Sequence, residues 1–262
     1  MNPFADEIKR RALRAKPDLP TLVPVAAERL DSHDREVARI REAYARRQKG
    51  PQGRYSFSNP SHVLVVQERD RELLSMLSRY GIESLEGKRI LEIGCGTGYL
   101  LRAFLQWGAL PENVFGIDLL PERIKQARKL SPHGVRLECG NAAALDFPDA
   151  SFDLVIQSVV FSSVLDPEMR RQIAREMLRV LRTDSLAIWY DFFFDNPRNT
   201  DVRGIRGNEI RSLFPGCQIS LQRITLAPPV GRLVGRYSPL MYMLLSQSKI
   251  LCTHYLGIIK KN

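Results

Sequence analysis

The chain is poor in the residues that build metal centres and disulfide frameworks. Its four cysteines, Cys95, Cys139, Cys217 and Cys252, are scattered with no C-x-x-C pair. That spacing argues against a zinc site and reads as reduced, buried small residues. Only four histidines occur, so no metal is expected. No apolar run reaches the roughly 20 residues of a membrane-spanning helix. No secretory signal pattern opens the sequence, where Asp6, Glu7 and Lys9 come early, and a cytoplasmic location is the expectation. Internal repeats and low-complexity tracts are absent as well. A length of 262 residues, 44% of them hydrophobic and 26% charged, suits one globular α/β domain with decorations.

Acidic residues are scarce at the two ends. Residues 1–54 carry 13 Lys/Arg against 8 Asp/Glu, and residues 192–262 carry 10 against 3. The stretch between them is nearly balanced, at 16 against 18, so the formal charge of +10 sits in the flanks. Basic flanks suit nucleic acid, an anionic membrane surface or a phosphorylated small molecule. The alternative is plain solvated surface charge.

The run Ile90-Leu91-Glu92-Ile93-Gly94-Cys95-Gly96-Thr97-Gly98 reads as a buried strand closing on an acid and a glycine-rich turn, with a helix starting at about Thr97. Glycines at every second position let backbone pass close to a ligand. This is how an α/β sheet holds a nucleotide-like cofactor at the carboxyl end of its first strand. A dinucleotide fingerprint needs G-x-G-x-x-G, and here Tyr99 stands where its last glycine should be, which disfavours that reading. Twenty positions past Gly98, the run Asn113 to Asp118 reads as a second strand ending in a carboxylate able to accept both hydroxyls of a ribose. Helix capping ahead of Pro121 is the competing reading of Asp118. Arg136 to Ala142 supplies a third strand and turn, and Phe152 to Gln157 a fourth strand. Asp166-Pro167 caps a helix from Glu168 to Leu181, and Arg182 to Ser185 leads into a fifth strand from Leu186 to Asp191.

The G-x-G-x-G turn, followed in order by Asp118, Gly140-Asn141-Ala142 and Phe152-Asp153-Leu154-Val155, resembles the class I S-adenosylmethionine-dependent methyltransferases, strongly over Lys88 to Phe192. The resemblance extends to the small-molecule group that acts on ubiquinone-type and polysaccharide acceptors. It implies a Rossmann-like α/β fold: a seven-stranded sheet with the last strand antiparallel, helices on both faces and an N-terminal helical arm. Residues 1–54 are that arm or lid. Residues 55–262 are the methyltransferase domain, with substrate-side insertions at about 192–216 and 226–252. The cofactor implied is S-adenosyl-L-methionine, held by Tyr55, Glu92, Gly94, Cys95, Gly96, Gly98, Asp118, Leu119, Asn141, Ala142, Ala143, Gln157 and Ser158. Glu92 anchors the methionine end. Asn141 stands where relatives often carry an acid, and its amide can still accept from adenine N6 and donate to N1. Relatives' Lys-Pro-Gly-Gly turn is missing before the fifth strand.

The acceptor must be read from the flanks. The segment Asn196 to Arg211 holds four arginines. Arg198, Arg203 and Arg206 are the candidates for binding an acidic or phosphorylated acceptor, because guanidinium groups grip such anions bidentately. Ion pairing of that loop with Asp195, Asp201 and Glu209 competes with this reading. Leu240 to Leu245, inserted between the last two strands, either covers the site, meets a lipid-like acceptor or docks on the core. The catalytic base is unassigned, with His62, Asp191 and His254 as weak candidates. The Asn-Pro-Pro-Tyr signature of amino-group methylation on DNA and glutamine is absent after strand four, where the chain reads Gln157-Ser158-Val159-Val160. Three functions remain open: a small-molecule O- or N-methyltransferase acting on a glycan, nucleotide sugar or secondary metabolite, an RNA-modifying methyltransferase, and a non-catalytic S-adenosylmethionine-binding protein. Monomer and homodimer both fit, as does peripheral membrane contact.

Overall fold

The computed structural model describes residues 23–48, 56, 58–196 and 199–261, with side chains from residue 32. The chain divides into two units, Met1–Arg35 and Glu36–Asn262. In the first, the described part is the opening of helix α1 (Val23–Gln48). The second holds the whole sheet. The expected boundary between arm and domain, at residues 54 and 55, lies outside the described residues.

Seven strands form one sheet in the order β3-β2-β1-β4-β5-β7-β6. They are β1 (Ile90–Ile93), β2 (Val114–Asp118), β3 (Arg136–Cys139), β4 (Phe152–Ser158), β5 (Leu181–Phe192), β6 (Gln218–Leu226) and β7 (Cys252–Lys260). The first five run parallel, and β7 lies antiparallel between β5 and β6. This is the Rossmann-like arrangement anticipated from the motifs. All residues of β1 and β2 are buried, as parallel strands covered on both faces must be. Edge strand β3 buries only Leu137.

Helices α2 (Pro60–Arg79), α3 (Tyr99–Gln106) and α4 (Pro121–Leu130) cover one face through Leu73, Leu101, Phe104 and Ile124. Helices α5 (Pro167–Val180) and α6 (Gly207–Leu213) cover the other, around Trp189, Phe161, Met177 and Phe214. Ile40 of α1 joins this second core. Asp166 caps α5, accepting from Met169 N at 2.6 Å with Pro167 at the first position. Such a cap is worth about 1 kcal/mol. The Asn59 side chain makes no capping bond to α2, whose first position is Pro60, while the Asn59 carbonyl accepts from His62 N and Val63 N at 3.0 and 3.1 Å.

Two local expectations shift. Helix α3 starts at Tyr99 rather than Thr97, because Gly98 holds a left-handed φ of +73° as its cap. Strand β5 begins at Leu181, not Leu186. The residues taken for a turn form an irregularity in the β4–β5 pairing between Phe152 and Leu154. There Asp184 has a φ of +58°, and Arg182 grips both Asp153 oxygens at 2.8 Å. Beyond β6, helices α7 (Pro228–Tyr237) and α8 (Pro239–Gln247) fill the excursion before β7.

Candidate functional site

Chain order reverses between β1 and β4. In an open parallel sheet this opens a crevice beyond the carboxyl ends of the strands. Glu92, Asp118 and Gln157 converge there from three adjacent strands, since Glu92 pairs with Gly116 and Ile156 in register.

The glycine turn has the backbone a close-fitting cradle requires. Gly94, Gly96 and Gly98 have φ values of +65°, +56° and +73°, in the region L side chains avoid. A Cβ at Gly94 would sit 2.4 Å from Val160 Cγ2, so nothing larger fits. Asp118 fixes the turn: its Oδ2 accepts from Gly96 N at 2.8 Å and its Oδ1 from Leu120 N at 2.9 Å. The same carboxylate lies 3.9 Å from Arg123 NH1. Arg123 also spans Gly96 and the ring of Tyr44, at 4.9 Å from its centroid.

Glu92 is 3% exposed, and its Oε2 has no hydrogen-bond partner among the described residues. Burial pushes its carboxyl up to about 8; Asp118 acts in the same direction, while Arg69 and Arg123 oppose the shift. A buried, unsatisfied carboxyl oxygen is costly and marks a place where a ligand's donor belongs. The amide nitrogen of Gln157 is a second such atom, its carbonyl oxygen accepting from Val160 N at 3.1 Å. Arg69, from α2, reaches over the rings of Tyr99 and Tyr190 at 5.5 and 5.9 Å. Cys95 is buried, its backbone N donating to Ile117 O, and burial drives its thiol up. Leu119, Asn141, Ala142 and Ser158 are half-buried and Ala143 buried. Asn141 Oδ1 accepts from Ala143 N at 2.9 Å, bracing its own turn. Tyr55 lies outside the described residues. The cradle, the unpaired Glu92 oxygen and the Asp118 carboxylate suit a ligand with a cationic end and vicinal hydroxyls. S-adenosylmethionine has both, so the residues fit it.

Asp191 has no exposed surface. Its oxygens accept from Ser162 N and Phe192 N at 3.0 and 2.9 Å, and burial pushes its pKa up to about 7. It therefore ties β5 to the turn after β4. His254 stacks on Tyr190 at 5.1 Å and meets Thr253 Oγ1 at 3.1 Å; burial drives its pKa down to about 4. His62, on the first turn of α2, is also lowered, by burial and then by Arg69. Among the described residues no group of three or more His, Cys, Asp or Glu is placed to hold a metal.

The segment after β5 folds back over the turn that follows β4. Arg203 N donates to Ser162 O at 2.9 Å and Ile205 N to Phe192 O at 2.9 Å. From α1, Arg39 donates to Ser163 O at 2.6 Å and Arg46 to Asp201 at 2.7 Å. The Arg203 side chain is engaged with Glu209, which also holds buried Arg170. Arg198 lies outside the described residues. Arg206 instead lines a cleft of about 560 Å³ with Arg211, Arg223, Asn208, Tyr255, Phe193 and Asp195. The arginines that gather are thus Arg206, Arg211 and Arg223, against one carboxylate. No local signal points to Arg69, Arg123 or Arg223, because each is brought in from a different element. Arg211 was within the arginine-rich run but could not be told from its neighbours.

Residues 90–184 match the model of a methyltransferase domain. The chain is 33% identical over 117 residues to 2-methyl-6-phytyl-1,4-hydroquinone methyltransferase of Synechocystis sp., covering 43% of this chain and 35% of that protein. It is 31% identical over 155 residues to ubiquinone biosynthesis O-methyltransferase of Cereibacter sphaeroides, covering 55% and 59%. The match thus spans little more than a third to three fifths of these relatives' length. The fold is that of the YcgJ protein of Bacillus subtilis, with a TM-score of 0.54 at 19% identity, covering 73% of this chain and 99% of that one.

Proposed function

We propose that this chain, whose residues 90–184 match the model of a methyltransferase domain, is a class I S-adenosylmethionine-dependent methyltransferase that transfers a methyl group to an oxygen or nitrogen atom of a small molecule. The observation that carries the reading is the buried Glu92 carboxyl, one oxygen unsatisfied, beside the Gly94–Gly98 cradle and Asp118. Glu92 takes the ammonium of the methionine moiety, and Asp118 the ribose hydroxyls. Asn141 and Ala143 border the adenine. Bound there, S-adenosylmethionine supplies a methyl group activated by a sulfonium.

The protein's remaining tasks are to align the acceptor and exclude water. The segment 199–206, pinned to Ser162 and Phe192, walls the acceptor side. No base is assigned. An acceptor that is a phenol, carboxylate or amine needs none, and burial leaves His254 too weakly basic to serve an alcohol of high pKa. The acceptor carries an acidic or phosphorylated group. In support, Arg206, Arg211 and Arg223 share one cleft, and none of the three makes an ion pair among the described residues. A glycan, nucleotide sugar or secondary metabolite is the class that fits. The relatives named for a phytyl hydroquinone and for ubiquinone biosynthesis extend that class to amphiphilic molecules.

Calorimetry with S-adenosylhomocysteine, followed by incubation of cell extract with labelled S-adenosylmethionine and mass identification of the product, tests the reading. No binding heat, or no labelled small molecule with RNA labelled instead, would remove it.

A further inference from the structure

Helices α7 and α8 lie outside the sheet's two covered faces and have an inner and an outer side. The inner side is fastened to α2. A Cβ at Gly235 would lie 3.0 Å from Ser61 Oγ and 3.2 Å from Ser61 Cα, so the two helices meet almost backbone to backbone. Tyr242, 1% exposed, donates its hydroxyl to Glu68 Oε2 at 3.0 Å. Leu226, Cys252, Leu64 and Val234 close a small core around it.

The outer side is apolar and open. On α7, Leu233 and Tyr237 are spaced i,i+4 and point away from Gly231 and Gly235, which occupy the opposite arc of the helix. They are 65% and 75% exposed. On α8, Leu240 and Leu244 are also exposed, and Ile250 just beyond it is 78% exposed. Helix α8 is therefore apolar on both sides, with only one side buried by the protein. A helix of that kind belongs in an apolar setting all round, and contiguous exposed patches of this sort mark interaction sites.

The charge around this face identifies the partner. Arg232 and Arg236 are also spaced i,i+4 and flank Leu233 and Tyr237, while Lys249 adjoins Ile250. From residue 210 to residue 262 there is no Asp or Glu. An apolar face with a basic rim and no acid complements an anionic phospholipid surface, which offers acyl chains beneath negative headgroups. Among the described residues no helix is long and apolar enough to cross a membrane, so the element lies on the surface.

We infer that α7 and α8 form a membrane-docking hairpin. Leu233, Tyr237, Leu240 and Leu244 enter the boundary between headgroups and acyl chains of an anionic bilayer, and Arg232 and Arg236 sit at headgroup level. The rigid seat on α2 presents this face without reorganisation. The inference rests on the outer face and stands apart from the methyl-transfer reading.

Sedimentation of the full chain with phosphatidylcholine vesicles, with and without phosphatidylglycerol, tests it. Binding is expected only with the anionic vesicles and weakens as salt rises. The pair Arg232→Gln and Arg236→Gln loses about fivefold in partitioning per residue. Leu233→Asp with Leu244→Asp loses at least about tenfold per residue, with S-adenosylhomocysteine affinity unchanged as the measure of an intact fold. Should that pair fail to fold, Tyr237→Trp keeps the test open, since brominated lipid should quench the added tryptophan. Any one of three results overturns the inference: no sedimentation with anionic vesicles, sedimentation indifferent to these substitutions, or a dimer that the Leu→Asp pair dissolves without any vesicle binding. The last assigns the face to a second copy of the chain.

Discussion

Glu92 is the residue whose replacement separates binding from stability most cleanly. Its carboxyl is buried at the end of β1, and one oxygen is left without a partner. Burial raises it from 4.5 to about 8. Between those values the folded protein holds a proton that the unfolded chain has released. Stability therefore falls as pH rises through this window, by up to about 1.4 kcal/mol per pH unit, on the order of 4–5 kcal/mol in total at the upper limit. Glu92→Gln removes that dependence. The variant should match the wild type near pH 5 and exceed it above about pH 8 in thermal unfolding. Binding should move the other way. At pH 7 a group titrating at about 8 is roughly nine-tenths protonated. Placing a ligand's ammonium against it favours the ionised form, so binding should release close to one proton. Titration of S-adenosylhomocysteine in two buffers of different ionisation enthalpy should give different heats with the wild type and equal heats with Glu92→Gln, whose affinity drops at least about tenfold. A stability gap between the two proteins that is flat across pH, or wild-type heats independent of buffer, would refute the reasoning.

Asp118→Ala removes the acceptor of Gly96 N and Leu120 N. It should cost about 1–3 kcal/mol for each stranded donor in denaturant unfolding and weaken S-adenosylhomocysteine roughly ten- to hundredfold in calorimetry; unchanged affinity takes Asp118 out of the ribose role. Gly94→Ala forces a Cβ to 2.4 Å from Val160 Cγ2 at a φ of +65°. It should lose at least about 1–2 kcal/mol from the backbone alone, with partial recovery of the melting temperature in a Gly94→Ala, Val160→Ala double variant. Arg206→Ala and Arg211→Ala should each raise KM for an acidic acceptor roughly tenfold while sparing kcat, since a charge-assisted hydrogen bond contributes about 1.5–3 kcal/mol; steady-state kinetics with an unchanged KM would take the cleft out of acceptor binding.

Much of the parallel half of the sheet was legible residue by residue. The fully buried strands β1 and β2 read as near-continuous apolar runs, and the glycine turn and Asp166-Pro167 are local signals whose geometry depends on neighbours a few positions away. The fifth strand's start was not legible. Arg182 to Ser185 reads as a turn, but the Arg182–Asp153 pair and the pairing of Phe152 with Leu181 draw it into the sheet. The basic cleft was half legible: Arg206 was one of three candidates, with Arg198 and Arg203, in an arginine-rich run. Arg203, beside it in sequence, turns to Glu209, while Arg223 arrives from β6.

The sequence by itself determined an α/β domain with a nucleotide-like cofactor turn at the end of its first strand, because these follow from short-range spacing of glycines, acids and buried apolar runs, while S-adenosylmethionine and the antiparallel last strand were implied by the resemblance those motifs carry. Tertiary structure decided which polar groups are left unsatisfied, which arginines share a cleft, and which side of Leu240 to Leu245 faces out. Tyr242 turns inward to Glu68 while Leu240 and Leu244 remain in solvent. Composition cannot distinguish these, because burial and pairing are set by elements that meet only once the chain has folded.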